Sequence, residues 1–337
     1  MKKFNVAVIG ATGAVGESIF EILEQRDFPI ENLYPLASSR SIDKTIMYKQ
    51  HNFQVEDIAN FDFALADIAL FSAGSEVSAK YAPIASSKGC VVIDNTSCFR
   101  YEDDIPLVVP EVNPEDIEGY SSRNIIANPN CSTIQMLVAL APLHRKWKLK
   151  EIVVSTYQSV SGAGKSAVSQ LVSQTHKLLS GSPVDADDFP RQIAFNVIPQ
   201  IDVWQDNGYS KEEMKMVWET RKILKDNNVI VNPTTVRVPT CYGHAESIHI
   251  KFAVNVNVNN IVDELKAAQG LEVFDEQEDY PTPFEHGSGT DLVAVGRIRQ
   301  AIDLNDGINM WVVADNVRKG AALNSVQIAE ILANKYL

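Results

Sequence analysis

The chain has 337 residues, with 30 Lys+Arg against 43 Asp+Glu and a formal net charge of −13. That length suggests two domains, and 45% apolar with 22% charged residues is the make-up of a globular protein with a real core. Disordered, collagen-like and disulfide-scaffold classes are excluded, and the acidic balance argues against a nucleic-acid or anionic-membrane partner. After Met1-Lys2-Lys3, residues 4–9 form a short apolar run interrupted by Asn5 and followed by Gly10 and Gly13. This predicts a first buried strand rather than a secretory leader. Val15, Ile19, Ile22 and Leu23 then recur on one helix face. Residues 33–37 and 68–71 read as the next strands, 76–88 as a helix and 91–93 as another strand. The alternation predicts an α/β fold built on a doubly wound parallel sheet. No apolar stretch approaches the ~20 residues that cross a bilayer.

Asn128-Pro129-Asn130 punctuates the chain, and Cys131 then opens a helix whose apolar face is Ile134, Leu137, Val138 and Ala141. From Glu151 the pattern changes. Strands are expected at 152–157, 235–238 and 246–254, the last alternating Ile248, Ile250 and Phe252 with Ser247, His249 and Lys251, as in a sheet with one wet face. A helix is expected at 211–226, strands at 292–299 and 308–315, and a closing helix at 317–335. The expected division is 1–128, 129–315 and 316–337, the closing helix returning to the first domain.

Gly10-Ala11-Thr12-Gly13-Ala14-Val15-Gly16 lies between the first strand and helix. Glycines there permit a tight turn and close approach of a pyrophosphate, and the helix N-terminus offers free N–H groups. The acidic residue that binds a ribose 2′-hydroxyl is missing after the second strand. Ser38-Ser39-Arg40-Ser41 stands there instead, which suits a 2′-phosphate and favours NADP over NAD, although a solvated polar loop has the same composition. Gly162-Ala163-Gly164-Lys165-Ser166 imitates the end of a phosphate-binding loop, but Ser159 occupies the position of its first glycine, so ATP is not expected.

Cys90, Cys98, Cys131 and Cys241 are widely spaced without a C-x-x-C pair, so no metal or redox site is expected and a reducing cytoplasm fits. Cys90 reads as structural. Cys131 at a helix N-terminus is favoured as a thiolate by the dipole, so catalytic and buried structural readings are both open. His244 sits in a turn between strands, either an acid/base or a surface histidine; His249, on the wet face of its strand, reads as bland.

These segments together resemble the aspartate-β-semialdehyde dehydrogenase family along nearly the whole chain. The resemblance is carried by the 10–16 glycine turn, Asp94-Asn95-Thr96-Ser97 with Arg100, Val108-Val109-Pro110-Glu111-Val112-Asn113 and Asn128-Pro129-Asn130-Cys131-Ser132-Thr133. It continues through Tyr157-Gln158-Ser159-Val160-Ser161-Gly162-Ala163-Gly164, Arg237 with His244 and Glu246, Ala314-Asp315-Asn316 and Lys319-Gly320-Ala321-Ala322-Leu323-Asn324. It implies a Rossmann-type NADP-binding domain and an α+β catalytic and dimerisation domain with a mixed sheet. The implied protein is a cytoplasmic homodimer without metal. The implied reaction is NADPH reduction of L-aspartyl-4-phosphate to aspartate 4-semialdehyde and phosphate, toward diaminopimelate and lysine, threonine, methionine and isoleucine. Carried over residue by residue, Cys131 is the nucleophile, His244 the acid/base and Gln158 a positioning group. Arg237 takes the α-carboxylate, Glu212 the α-ammonium, and Lys215 and Arg100 the phosphoryl group. Gly10, Thr12, Gly13, Ala14, Val15, Arg40, Ser41, Ser161, Gly162 and Asn316 line NADP.

The chemistry agrees. A thiolate is both a good nucleophile toward an acyl phosphate and a good leaving group, and a histidine titrates near neutrality. Without the resemblance, Glu212 and Lys215, three apart on a helix, read as a solvated ion pair. The alternatives are the related N-acetyl-γ-glutamyl-phosphate reductase, whose substrate lacks the free ammonium that Glu212 would face, and a silent nucleotide-binding paralogue, against which Cys131, Gln158, Arg237 and His244 together speak. A short-chain dehydrogenase would need Tyr-x-x-x-Lys, and Tyr209-Ser210-Lys211 has the wrong gap.

Overall fold

The computed structural model describes residues 2–186 and 189–337. They form two compact units, Met1–Asn130 with Ala321–Leu337, and Cys131–Gly320. The divisions thus follow Asn130 and Gly320, where the sequence reading put them after 128 and 315.

The first unit carries β1 (Phe4–Ile9), α1 (Ala14–Gln25), β2 (Ile30–Ala37), β3 (Thr45–Tyr48), β4 (His51–Gln54), β5 (Glu56–Asp57), β6 (Ile68–Phe71), α2 (Ser75–Ser87), β7 (Val91–Asp94) and β8 (Ile125–Ala127). Its sheet runs β5-β2-β1-β6-β7-β8, and every pair is parallel. Every residue of β6 and β7 is buried, because both faces of such a sheet are covered. This is why the short apolar runs were legible as strands. The β3–β4 hairpin and the two-residue edge strand β5 were not read; all three strands are short, and β4 and β5 are largely exposed.

The terminal helix, Leu323–Lys335, belongs to this unit. Its Leu323, Val326, Ile328, Ala329 and Leu332 share a core with Ile19, Phe20 and Leu23 of α1. Arg26 donates from Nε and Nη2 to the two carboxylate oxygens of Glu330, each at 2.7 Å. Asn324 Nδ2 donates to Asn128 Oδ1 at 2.7 Å and Val108 O at 3.0 Å. The helix does not run unbroken from 317: a π-turn, Arg318–Ala322, precedes it.

The second unit holds α3 (Cys131–Trp147), β9 (Leu149–Gln158), α4 (Lys165–Leu179), α5 (Lys211–Leu224), β10 (Ile230–Arg237), β11 (His244–Phe252), α6 (Val258–Ala267), β12 (Leu271–Val273), α7 (Pro283–His286), β13 (Val293–Gln300) and β14 (Gly307–Ala314). The sheet order is β10-β9-β11-β14-β13-β12, antiparallel at its centre and parallel at its two outer pairs. On β11, Ile248, Ile250 and Phe252 are buried while Ser247 is exposed, the alternation expected of a sheet with one wetter face.

Two differences from the sequence reading have simple causes. Helix α3 does not present one apolar face; it is buried from Ser132 through Ala141, so polar Ser132, Thr133 and Gln135 lie inside the unit. Helices α4 and α6 were missed although each carries an apolar face, Ala167 and Leu171 on α4 and Ile261 and Leu265 on α6. Among the described residues no helix is long and apolar enough to cross a membrane.

Candidate active site

The glycine turn stands at the end of β1, whose neighbours are β2 and β6, the point where strand order reverses in the first sheet. Gly10 has φ +84, and a Cβ there would come within 3.1 Å of Ser72 and Ala73 at the end of β6. A Cβ on Gly16 would sit 2.2 Å from the Gly10 carbonyl oxygen. Both positions therefore require glycine, and the backbone is drawn tight around the start of α1. No side chain caps that helix at Gly13. The turn is thus a main-chain cradle for an anion at a helix N-terminus, which fits a dinucleotide pyrophosphate. Beyond β2, Ser39, Arg40 and Ser41 form an exposed turn with no acidic residue among them.

In the second unit, strand register assembles the chemistry. Arg237, the last residue of β10, pairs with Gln158, the last of β9. Ala245 pairs with Tyr157, which sets His244 at the same end of the sheet, and His244 pairs with Ala314 on β14. Residues far apart in sequence therefore lie side by side across four adjacent strands, with Ser159 and Asn316 just beyond.

His244 is fully buried there. Its Nδ1 accepts from the Ser159 backbone N–H at 3.1 Å, so the neutral ring carries its hydrogen on Nε2. Nε2 finds no hydrogen-bond partner among the described residues. Ser159 Oγ lies 3.1 Å from Nδ1 and donates to Asn316 Oδ1 at 3.1 Å, which also accepts from Ser161 Oγ and Gly243 N. Gly162 packs so closely that a Cβ would be 3.3 Å from the imidazole and 2.9 Å from Arg237 Nη1. The expectation that His244 titrates near neutrality is corrected: burial, reinforced by the Arg237 charge, pulls its pKa down to about 3. His244 is a neutral N–H donor.

Cys131 is the first residue of α3 and half-buried. Gly320 packs against it so closely that a Cβ would fall 2.8 Å from Cys131 Cβ, and Gly320 is held by its N–H to the Asp315 carbonyl at 3.0 Å. Arg237 is buried, and Nη1 donates to Ser159 O at 2.8 Å. Burial draws its guanidinium below its ordinary value, opposed by the negative charges of Glu212 and Cys131. The cysteine, the arginine and the glutamate therefore feel one another's fields.

Gln158 Nε2 donates to Glu212 Oε1 at 3.1 Å, and Thr156 Oγ1 donates to Gln158 Oε1 at 2.9 Å, which fixes the amide orientation. Glu212 Oε2 accepts from Lys215 Nζ at 2.8 Å, and Asp202 Oδ2 accepts from the same ammonium at 2.9 Å. Burial alone would depress Lys215, but the two carboxylates outweigh it and hold it above the usual lysine value. The pair is mostly buried rather than a solvated surface bridge. Helix α5 can place it because Ser210 and Glu213 close a capping box at its start, worth about 1 kcal/mol.

Arg100 stands in the first unit, buried, with Nε on Asn128 O at 2.9 Å and Nη2 on Asn95 O at 2.8 Å. Cys90 is buried, and desolvation pushes its thiol up to about 12, so it is inert.

Sequence reasoning missed Ser159 as a partner of His244, Asp202 as a partner of Lys215, and Gly320 as the seat of Cys131. The capping box was the one local signal available. Glu246 and Gln135 were also missed as a buried pair of residues on β11 and α3; both side chains are fully buried, and the Gln135 amide acts on the Glu246 carboxyl. Burial raises the Glu246 carboxyl well above the ordinary carboxylate range.

Comparison with known proteins identifies the family. Residues 5–120 match the family model described as semialdehyde dehydrogenase, NAD binding domain, and residues 140–319 the one described as semialdehyde dehydrogenase, dimerisation domain. An aspartate-semialdehyde dehydrogenase of Shewanella violacea is 56% identical over 99% of both chains. The crystal structure of aspartate semialdehyde dehydrogenase II complexed with ASA from Vibrio cholerae superposes with a TM-score of 0.99 at 55% identity over 100% of both chains. That of the Candida albicans aspartate semialdehyde dehydrogenase with NADP superposes at 0.75, with 27% identity over 98% of this chain and 99% of that one. Identity above one half along the full length of both chains goes well past a shared fold, and the chain belongs to the aspartate-semialdehyde dehydrogenase family.

Proposed function

We propose that the chain reduces L-aspartyl-4-phosphate with NADPH to L-aspartate 4-semialdehyde and phosphate through a thioester on Cys131. The observation that carries this reading is the row of Arg237, Gln158 and His244 across adjacent strand ends, in the unit that begins with Cys131.

The Cys131 thiolate attacks the acyl carbon. The carbon–oxygen bond to the phosphoryl group breaks, and phosphate leaves with the electron pair. The glycine turn with Thr12, Ala14, Val15, Arg40 and Ser41 would hold NADP, and Arg40 in place of an acidic residue favours the 2′-phosphate. When bound, the reduced cofactor supplies the hydride that the thioester carbonyl requires. His244 donates a hydrogen bond from Nε2 to the oxyanion so formed. Collapse of that oxyanion breaks the carbon–sulfur bond, frees the aldehyde and restores the thiolate. No proton has to leave the imidazole, which suits a ring that burial keeps neutral.

Arg237 offers a two-pronged guanidinium to the α-carboxylate and Glu212 a carboxylate to the α-ammonium. An N-acylated substrate would bring no ammonium to meet Glu212, which disfavours the acetylglutamyl-phosphate reading. Lys215 meets the phosphoryl oxygens. The dimerisation-domain match supports a homodimer, and the widely spaced thiols support a reducing cytoplasm. The product would feed lysine, threonine, methionine and isoleucine synthesis.

The test is phosphate-dependent reduction of NADP by aspartate semialdehyde, with intact-mass detection of an acyl adduct on trapped enzyme. An adduct that maps to Cys131 is expected; turnover with no adduct there overturns the thioester route.

A further inference from the structure

Asp202 lies on the loop before α5 and stands outside every role assigned above. Its backbone is in the left-handed region, φ +68, which asparagine and aspartate adopt more readily than other non-glycine residues. Its carboxylate is fully engaged: Oδ1 accepts from the Val203 N–H at 2.8 Å and Oδ2 from Lys215 Nζ at 2.9 Å. The Lys215 ammonium has three N–H donors, and Glu212 Oε2 at 2.8 Å takes a second. Among the described residues, no partner takes the third donor, which remains for a ligand. A lysine meant to attract a phosphoryl group is therefore flanked by two negative charges, only one of which the substrate's ammonium would answer.

We propose that Asp202 is a positioning residue of the phosphoryl subsite: it aims the Lys215 ammonium and offsets part of its attraction for phosphate, so that inorganic phosphate leaves after acyl transfer. The proposal rests on Lys215 as a phosphoryl ligand. The left-handed turn at Asp202 brings the carboxylate to the ammonium. Lys211 also acts on Asp202, so the charges that bear on the subsite from this side are Lys215, Lys211, Glu212 and Asp202 itself.

Asp202→Asn separates charge from structure. Asparagine tolerates the same backbone and keeps an oxygen acceptor for Lys215, but removes the negative charge. In the phosphate-dependent oxidation of aspartate semialdehyde, Asp202→Asn should lower the KM for phosphate about threefold, the size expected for one partly screened charge a few ångströms away. The KM for the aldehyde should stay unchanged. Asp202→Glu, which restores the charge, should return the phosphate KM toward the wild-type value. An unchanged or raised phosphate KM in Asp202→Asn, at wild-type thermal stability, overturns the proposal. Should Asp202→Asn fold poorly, Asp202→Glu with a lowered phosphate KM overturns it equally. Lys215→Met is the control on the underlying reading: a phosphate KM unchanged in that variant removes Lys215 from the subsite, whereas a raised KM there, beside no decrease in Asp202→Asn, sinks only the role of Asp202.

Discussion

The two units use the ends of their strands in opposite ways. In the first, the strand end at Gly10 presents backbone, and glycines at 10 and 16 are needed because carbonyls and neighbouring chain crowd the turn. In the second, the strand ends present Arg237, Gln158 and His244, side chains that register brings into one row. A cradle of main-chain N–H groups suits a ligand held by its phosphates, whose position matters more than its reactivity. A row of buried polar side chains suits bond-making, because low polarity and fixed geometry strengthen each hydrogen bond. The contrast predicts that damage to one unit should spare the function of the other.

Cys131→Ala should have the largest effect. Turnover should fall by about 10⁴-fold or more, while NADPH binding by fluorescence titration stays near wild type. Loss of both would break the separation of roles. Arg237→Lys should lower kcat/KM by about 100-fold, because one ammonium cannot replace a two-pronged guanidinium; an unchanged kcat/KM excludes the carboxylate contact.

On the backbone side, Gly16→Ala places a methyl 2.2 Å from the Gly10 oxygen. It should cost about 2 kcal/mol of stability in urea unfolding and weaken nucleotide binding, with Cys131 alkylation unaffected. Arg40→Ala should weaken NADP about tenfold and NAD little, as loss of one charge-assisted contact would; equal losses argue for a solvated loop.

The smallest effect is a slope with pH. Glu246 has a raised folded pKa, so its contribution to stability is present below the ordinary value of 4.5 and is lost as pH rises toward the raised value. Glu246→Gln should therefore gain stability relative to wild type between pH 5 and pH 8. His244 acts in the opposite sense: its folded value of about 3 makes its contribution present above 6.5 and lost as pH falls toward 3. A difference between the two proteins that does not vary with pH would show that Glu246 does not stay protonated in the folded chain.

Much of the first unit was legible because its signals are local. Phe4–Ile9 and the glycines after it sit within a few positions of one another, and burial on both faces writes a strand as an apolar run. The second unit hid more. Ser159 figured as a residue that spoils a phosphate-loop pattern and as one position of a family motif, yet its N–H settles which nitrogen of His244 bears hydrogen. Asp202 carried no periodic or motif signal, since its importance lies in reaching Lys215 on the next helix.

Residue order alone determined that a strand, a tight turn and a helix begin this chain, that Cys131 follows a break at the head of a helix, and that one family's motifs recur in sequence. Those are consequences of chain stiffness, glycine freedom and helix-end polarity, all acting over a few residues. Tertiary structure alone decided that residues 158, 237 and 244 become neighbours, that the imidazole is neutral and that Gly320 seats the thiol. Strand pairing joins positions that local propensity cannot connect, and the field at a buried group is set by every charge the fold gathers around it.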